Sequence, residues 1–176
     1  MTKKSYRVPW APRKVKEVER VVQEALERWA EEEGLQVKDW TIDYLTFESW
    51  FEYSVLASGP KPVIAKGEGY VRSLNGKISS AVIKDRETGE PLFAFAPQYR
   101  EFKEKVGEVW GPEDMERVAD VIKDEYPGAE YTSIDEKVRW EAIGDVETDD
   151  GSRWTFVARI QPSLIYSDVE LTVEKR

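Results

Sequence analysis

The chemistry open to this chain is limited by what it lacks. Its 176 residues include no Cys and no His, so thiolate nucleophiles, imidazole bases and disulfides are excluded. Ser-His-Asp and Cys-His catalysis go with them. Zinc sites draw on the same two residue types and are not expected. Carboxylates are the remaining acid/base machinery. Glu48 and Glu52 share one face of a strand pattern, but at the usual rise they stand about 13 Å apart, too far to share a proton. Glu147, Asp149 and Asp150 precede Gly151 as the ligands of a calcium loop would. Ser152, Arg153 and Trp154 then follow where such a loop needs more oxygens and a closing Glu, so a plain hairpin turn is expected. The stretch GEGYVRSLNG, residues 67–76, lacks the Lys-Ser/Thr ending of a phosphate loop and opens no helix. No catalytic residue, cofactor or metal is expected.

Recognition is the better-supplied chemistry. Trp50 and Tyr70 fall on the outward side of a period-two pattern if Phe51, Tyr53 and Val71 point inward. Lys66, Glu68 and Arg72 surround them on that side. Aromatic rings set among charges are what protein-binding hot spots use, and Trp50, Tyr70, Arg72, Lys66 and Glu68 form the candidate partner-binding set. Gly67 and Gly69 take inward positions. Glycine inside a strand marks close approach, a bend or room for another group. Either a core ring such as Trp29 fills the space, or a small pocket lined by Gly67, Gly69 and Trp29 lies under the sheet.

The elements that must position these residues are legible in the periodicity. Residues 1–12 read as an arm, punctuated by Pro9 and Pro12, with Trp10 docked on the body. From Arg13 to Glu33, Val15, Val18, Val22, Ala25, Leu26 and Trp29 recur at three- and four-residue steps and predict a helix stopped at Gly34. Alternation predicts strands over 36–45 and 47–57. A loop at Ser58–Pro62 leads to strands 63–73 and 77–85, joined at Asn75-Gly76, a hairpin signal. A turn over Asp85–Glu90 and a short strand over Leu92–Ala96 follow. A short helix over 98–110 carries Tyr99, Phe102 and Val106 on one side. Gly111-Pro112-Glu113-Asp114 opens another helix, with Pro at its first position and acidic residues at its positive end. Met115, Val118, Ala119, Ile122 and Tyr126 make its stripe, and Pro127-Gly128 ends it. The last 45 residues alternate as three strands.

The pattern from Trp50 to Asp85 returns 87 residues downstream. Phe51 and Tyr53 shift onto Val138 and Trp140, and Val71 onto Ala158. Ile78, Ser80 and Val82 shift onto Ile165, Ser167 and Val169. The fold class expected is therefore α+β, with two helix-plus-antiparallel-meander units in tandem. Residues 1–97 form the first with its arm, 98–111 the bridge, and 112–176 the second. A net charge of −9 disfavours nucleic acid and suits a basic protein partner. No apolar run approaches the roughly 18 residues of a membrane span, and MTKKSYRVPW has no apolar stretch behind it. A cytoplasmic protein with no membrane partner is expected.

One helix followed by an antiparallel meander resembles the cystatin and nuclear-transport-factor-like group. Trp50-Phe51-Glu52-Tyr53, and the strand Ala81-Val82-Ile83-Lys84 running into Asp85-Arg86-Glu87-Thr88-Gly89-Glu90, are similar to elements of bacterial immunity proteins of that fold, over residues 13–107. The resemblance implies a non-catalytic inhibitor, immunity or anti-defence protein that covers a partner's surface. A small-molecule-binding scaffold with an internal pocket is the alternative, and a carboxylate-only enzyme the third. The regular Glu, Lys and Arg patterning also suits a computational design or a thermophile protein.

Overall fold

In the computed structural model, residues 2–57, 63–85, 96–125 and 137–176 are described. They form three α-helices and a seven-stranded antiparallel sheet. The strands are β1 (Thr2–Val8), β2 (Val37–Ala57), β3 (Val63–Leu74), β4 (Lys77–Asp85), β5 (Lys137–Thr148), β6 (Arg153–Pro162) and β7 (Ser167–Lys175). Their order across the sheet is β1-β7-β6-β5-β2-β3-β4. The helices are α1 (Val15–Glu32), α2 (Ala96–Val106) and α3 (Met115–Glu125), the last preceded by a 3₁₀ turn at Pro112–Asp114. The chain divides into two compact units, one of residues 1–47 with 139–176 and the other of residues 48–138. These are not the boundaries read from the sequence at 97 and 112.

In the first unit, α1 buries Val18, Val21, Val22, Ala25, Leu26, Trp29 and Ala30, the stripe its three- and four-residue spacing requires. Gly34 ends the helix at φ +72°, a left-handed conformation that costs glycine no Cβ clash. The helix lies against β1 and β7. The sheet answers with every second residue: Trp140, Ala142 and Val146 on β5, Phe156, Ala158 and Ile160 on β6, and Val169, Leu171 and Val173 on β7 are buried. Trp29 meets Trp154 edge-on at 5.0 Å between ring centres, and Phe47 tilts against Trp140 at 5.3 Å. A Cβ on Gly144 would stand 1.8 Å from the carbonyl oxygen of Thr41, so only glycine lets the β2 backbone pass there.

In the second unit, Phe51, Val71 and Ile78 are buried together with Ser49 and Ser73. The helices contribute Phe102, Val106, Met115, Val118 and Val121, and the turn after α2 contributes Val109, to buried positions. The β3–β4 hairpin turns at Asn75 (φ +47°) and Gly76 (φ +83°), the pair of left-handed residues that a two-residue hairpin demands. Trp110 closes over Gly76, and Val109 N–H donates to the Gly76 carbonyl at 2.8 Å. Arg117 ties the turn after α2 to α3, donating to the Val106 carbonyl at 2.9 Å and pairing with Asp114 at 3.0 Å.

Several expectations change. Residues 2–8 are not an arm: they pair along β7 from Thr2↔Val173 to Val8↔Ser167. The strands expected over 36–45 and 47–57 are one strand, β2. Its middle passes from Trp40, Ile42 and Tyr44, none of them buried, to the buried Leu45, Phe47, Ser49 and Phe51, and that change of phase mimics a break. The 87-residue shift maps β3 onto β6 and β4 onto β7, yet it fails within β4. Arg72 pairs with Ser80 and Ser73 with Ile78, which leaves Ser79 as an extra, bulged residue. A bulge reverses the facing of the residues beyond it. Ile78 is therefore buried while Val82 is 47% exposed, whereas their counterparts Ile165 and Val169 are exposed and buried in turn. The loop at 58–62, the turn at Asp85–Glu90 beyond Asp85, the strand expected over Leu92–Ala96 except Ala96, which opens α2, and Pro127-Gly128 lie outside the described residues.

Candidate protein-binding face

The outward face of β2, β3 and β4 in the second unit carries rungs of paired residues. The central rung is apolar. Trp50 and Tyr70 stack at 5.1 Å between ring centres with 45° between planes, and Tyr70 pairs directly with Val82. Trp50 is 39% exposed and Val82 47%, while Tyr70 is half-buried. The next rung is polar. Glu48 accepts the Tyr70 hydroxyl at 3.1 Å and pairs with Arg72 at 3.7 Å, and Arg72 itself pairs with Ser80 across the strands. On the other side of the aromatic rung lie Glu52, exposed, and Glu68, half-buried.

Period two explains why these side chains share a face. Phe51 and Val71 point inward, so Trp50, Tyr70 and Arg72 point outward. Of the sequence-derived set, Trp50, Tyr70, Arg72 and Glu68 therefore come together. Lys66 lies in β3, but its side chain is outside the described residues. Sequence reasoning missed Glu48 and Val82. Glu48 was weighed only as an acid, and its role as shared acceptor depends on cross-strand register. Val82 is matched in the 87-residue register to Val169, which is buried, and the bulge at Ser79 that turns Val82 outward leaves no mark in the alternation.

Gly69 has an explanation in packing. A Cβ at Gly69 would fall 2.1 Å from the Cζ of Phe51, so the Phe51 ring occupies the space that the missing side chain leaves. Gly67 pairs with Asp85. Trp29 is buried against Trp154 in the first unit.

The first unit's outward face is ionic. Lys3, Glu170, Arg159 and Glu141 form a ladder across β1, β7, β6 and β5, with contacts of 3.4, 3.3 and 3.0 Å. The Glu141 carboxylate, with Glu170 in support, raises the Arg159 pKa further. Beside the ladder lies an open groove of about 600 Å³ lined in part by Arg7, Arg139, Arg159, Asp168 and Glu170. Tyr6 also lines this groove, and burial and then the hydrogen bond to Glu32 push its hydroxyl pKa well above its usual value. Glu147 ends within β5, paired with Arg153, and Asp149–Gly151 form the turn to β6. Asp150 accepts the Thr148 hydroxyl at 2.6 Å and the Ser152 amide at 3.0 Å, and these bonds hold its pKa below the ordinary carboxylate value. Among the described residues no cluster of acidic side chains could hold a metal ion.

No family model matches the chain, and neither a curated protein nor a solved structure shows significant similarity to it.

Proposed function

We propose that the chain is a non-catalytic protein-binding module, of an inhibitor, immunity or anti-defence kind, that covers a partner with the outward face of β2, β3 and β4. The observation that carries this reading is the Trp50–Tyr70 stack, extended by Val82 and bordered by Glu48, Arg72 and Glu68. Central aromatics within a charged rim are the usual anatomy of an interface hot spot. The Glu48 bonds hold Tyr70 and Arg72 in place, so less ordering entropy is lost on association. The net charge of −9 favours a basic partner and would speed the encounter. The resemblance of residues 13–107 to cystatin-like immunity proteins implies a binder of the same kind, and a cytoplasmic location belongs to this reading.

The test is stoichiometric co-purification from source cells, followed by affinity measurement with Trp50→Ala/Tyr70→Ala. A central aromatic costs about 2 kcal/mol or more, roughly thirtyfold in affinity. The double variant should lose at least that while its melting temperature stays close to the parent's. Unchanged affinity in a folded variant would move the interface elsewhere, and unfolding would make the rings structural. The 600 Å³ groove favours a second reading, small-molecule binding, because its size falls within the range of ligand sites. That reading expects small anionic ligands to raise the melting temperature, and Arg139→Ala to abolish the rise.

A further inference from the structure

The β6–β7 connection carries the most exposed large apolar residues among those described. Leu164 is 97% exposed and its neighbour Ile165 76%. Isolated apolar residues on a surface are ordinary, but an adjacent aliphatic pair at the apex of a hairpin is not. The apex is held in shape. Ser163 N–H donates to the Tyr166 carbonyl at 2.7 Å, and Tyr166 N–H donates back to Ser163 Oγ at 3.3 Å. At the base of the hairpin, Ser167 Oγ donates to the Trp10 carbonyl at 2.7 Å, which fixes the 9–12 segment beside it.

Two aromatic rings stand at that base, each under a guanidinium. Arg7 lies 4.0 Å from the centre of the Tyr166 ring, and Arg20 lies 4.0 Å from the centre of the Trp10 ring. Arg13, Lys14 and Lys16, all exposed, follow Trp10 into the start of α1. Arg7 is paired with Asp168 at 3.2 Å, and beyond that pair this end carries Arg13, Lys14, Lys16 and Arg20 against Glu17 and Glu19, in a chain whose net charge is −9. Aliphatic side chains at the apex, amphipathic rings behind them and cations around the rings follow the layering of a membrane interface from acyl chains to headgroups.

We propose that the Leu164–Ile165 hairpin tip, with Trp10, Tyr166 and the basic residues around them, docks the protein on an anionic lipid surface. The sequence-based expectation of no membrane partner rested on the lack of a spanning segment. A docking tip needs none: it inserts two side chains and leaves the sheet in water. The local cations choose which end faces the lipid, because the remainder of the acidic chain is repelled. A protein socket for the same pair would need no ring of cations, so the charge pattern favours lipid. This surface lies in the first unit and does not depend on Trp50 or Tyr70.

The experiment is sedimentation of the full chain with vesicles of phosphatidylcholine alone and with vesicles that also contain phosphatidylserine. The protein should pellet with the second kind far more than with the first, and added salt should release it. Leu164→Ser/Ile165→Ser should weaken binding by about tenfold or more per side chain. Its melting curve should be unchanged, since both side chains stand in solvent. Lys14→Gln, which keeps the Lys14 carbonyl that accepts from Val18 N–H at 3.1 Å, should cost about fivefold. Trp50→Ala/Tyr70→Ala should pellet like the parent. Failure to pellet with phosphatidylserine vesicles, equal binding by the Leu164/Ile165 variant, or indifference to phosphatidylserine would each overturn the proposal. The first of these, with the apex still needed for capture of a protein, would assign the tip to a protein socket.

Discussion

Gly69 and Phe51 offer a direct measurement of why the first meander contains glycine. An added Cβ at residue 69 would meet Phe51 Cζ at 2.1 Å and Cε2 at 2.3 Å, well inside van der Waals contact. Phe51 is only 4% exposed, so its ring has little room to yield. Gly69→Ala alone should therefore cost about 1–3 kcal/mol, the range for overpacking a core. Phe51→Ala alone should cost about 3–5 kcal/mol as a buried ring lost. In the Phe51→Ala background the clash is gone. Alanine at residue 69 should there be favourable by about 0.5–1 kcal/mol, since it loses less backbone freedom than glycine in a strand. The two changes together should thus be milder than their sum by roughly 1.5–4 kcal/mol, far above the scatter of about 0.5 kcal/mol expected for independent sites. Urea melts of the four proteins read this coupling. Additive effects would mean that the ring does not occupy the glycine's space, and an open pocket under β3 would return as the explanation.

Gly144→Ala poses a harder clash, because the obstacle is the Thr41 carbonyl at 1.8 Å rather than a side chain. It should cost about 3 kcal/mol or more, and a urea midpoint equal to the parent's would contradict the close passage of β2 over β5. Asp150 should make stability acid-sensitive. Its pKa is depressed, first by the Thr148 hydroxyl bond and then by the Ser152 amide, so its contribution is complete above about pH 4 and fades as pH falls through the lowered value. The melting-temperature gap between the parent and Asp150→Ala should accordingly narrow in acid. A gap that stays constant on acidification would show that the turn does not depend on the ionised carboxylate.

The parts of the fold that sequence made legible are those whose burial follows one uninterrupted period. The α1 stripe and the alternation of Trp140, Phe156, Ala158, Val169 and Leu171 face a single core, so pattern and packing agree. Pattern and packing part where a long-range event changes the period. The extra residue at Ser79 reverses β4, and alternating apolar residues on either side of it read as one uniform strand. β1 was invisible because its sequence, TKKSYRV, takes its strand character from β7, a partner at the far end of the chain. The candidate face was half legible: Trp50, Tyr70 and Arg72 follow from parity, while Glu48 and Val82 follow only from pairing across strands.

The pairing of β1 with β7 also bears on how the protein emerges from a ribosome. Val8 finds its partner in Ser167, and Thr2 in Val173, so about 160 to 170 residues must be made between the two ends of each pairing. At roughly 5–20 residues per second, that is an interval on the order of ten to thirty seconds. During it α1 is complete, with seven side chains destined for burial, but the β7 surface against which it will lie has not yet been synthesised. The first unit thus cannot close its sheet until β7 has been made. Its earliest apolar stripe must be shielded by something other than its native sheet until the last strand arrives.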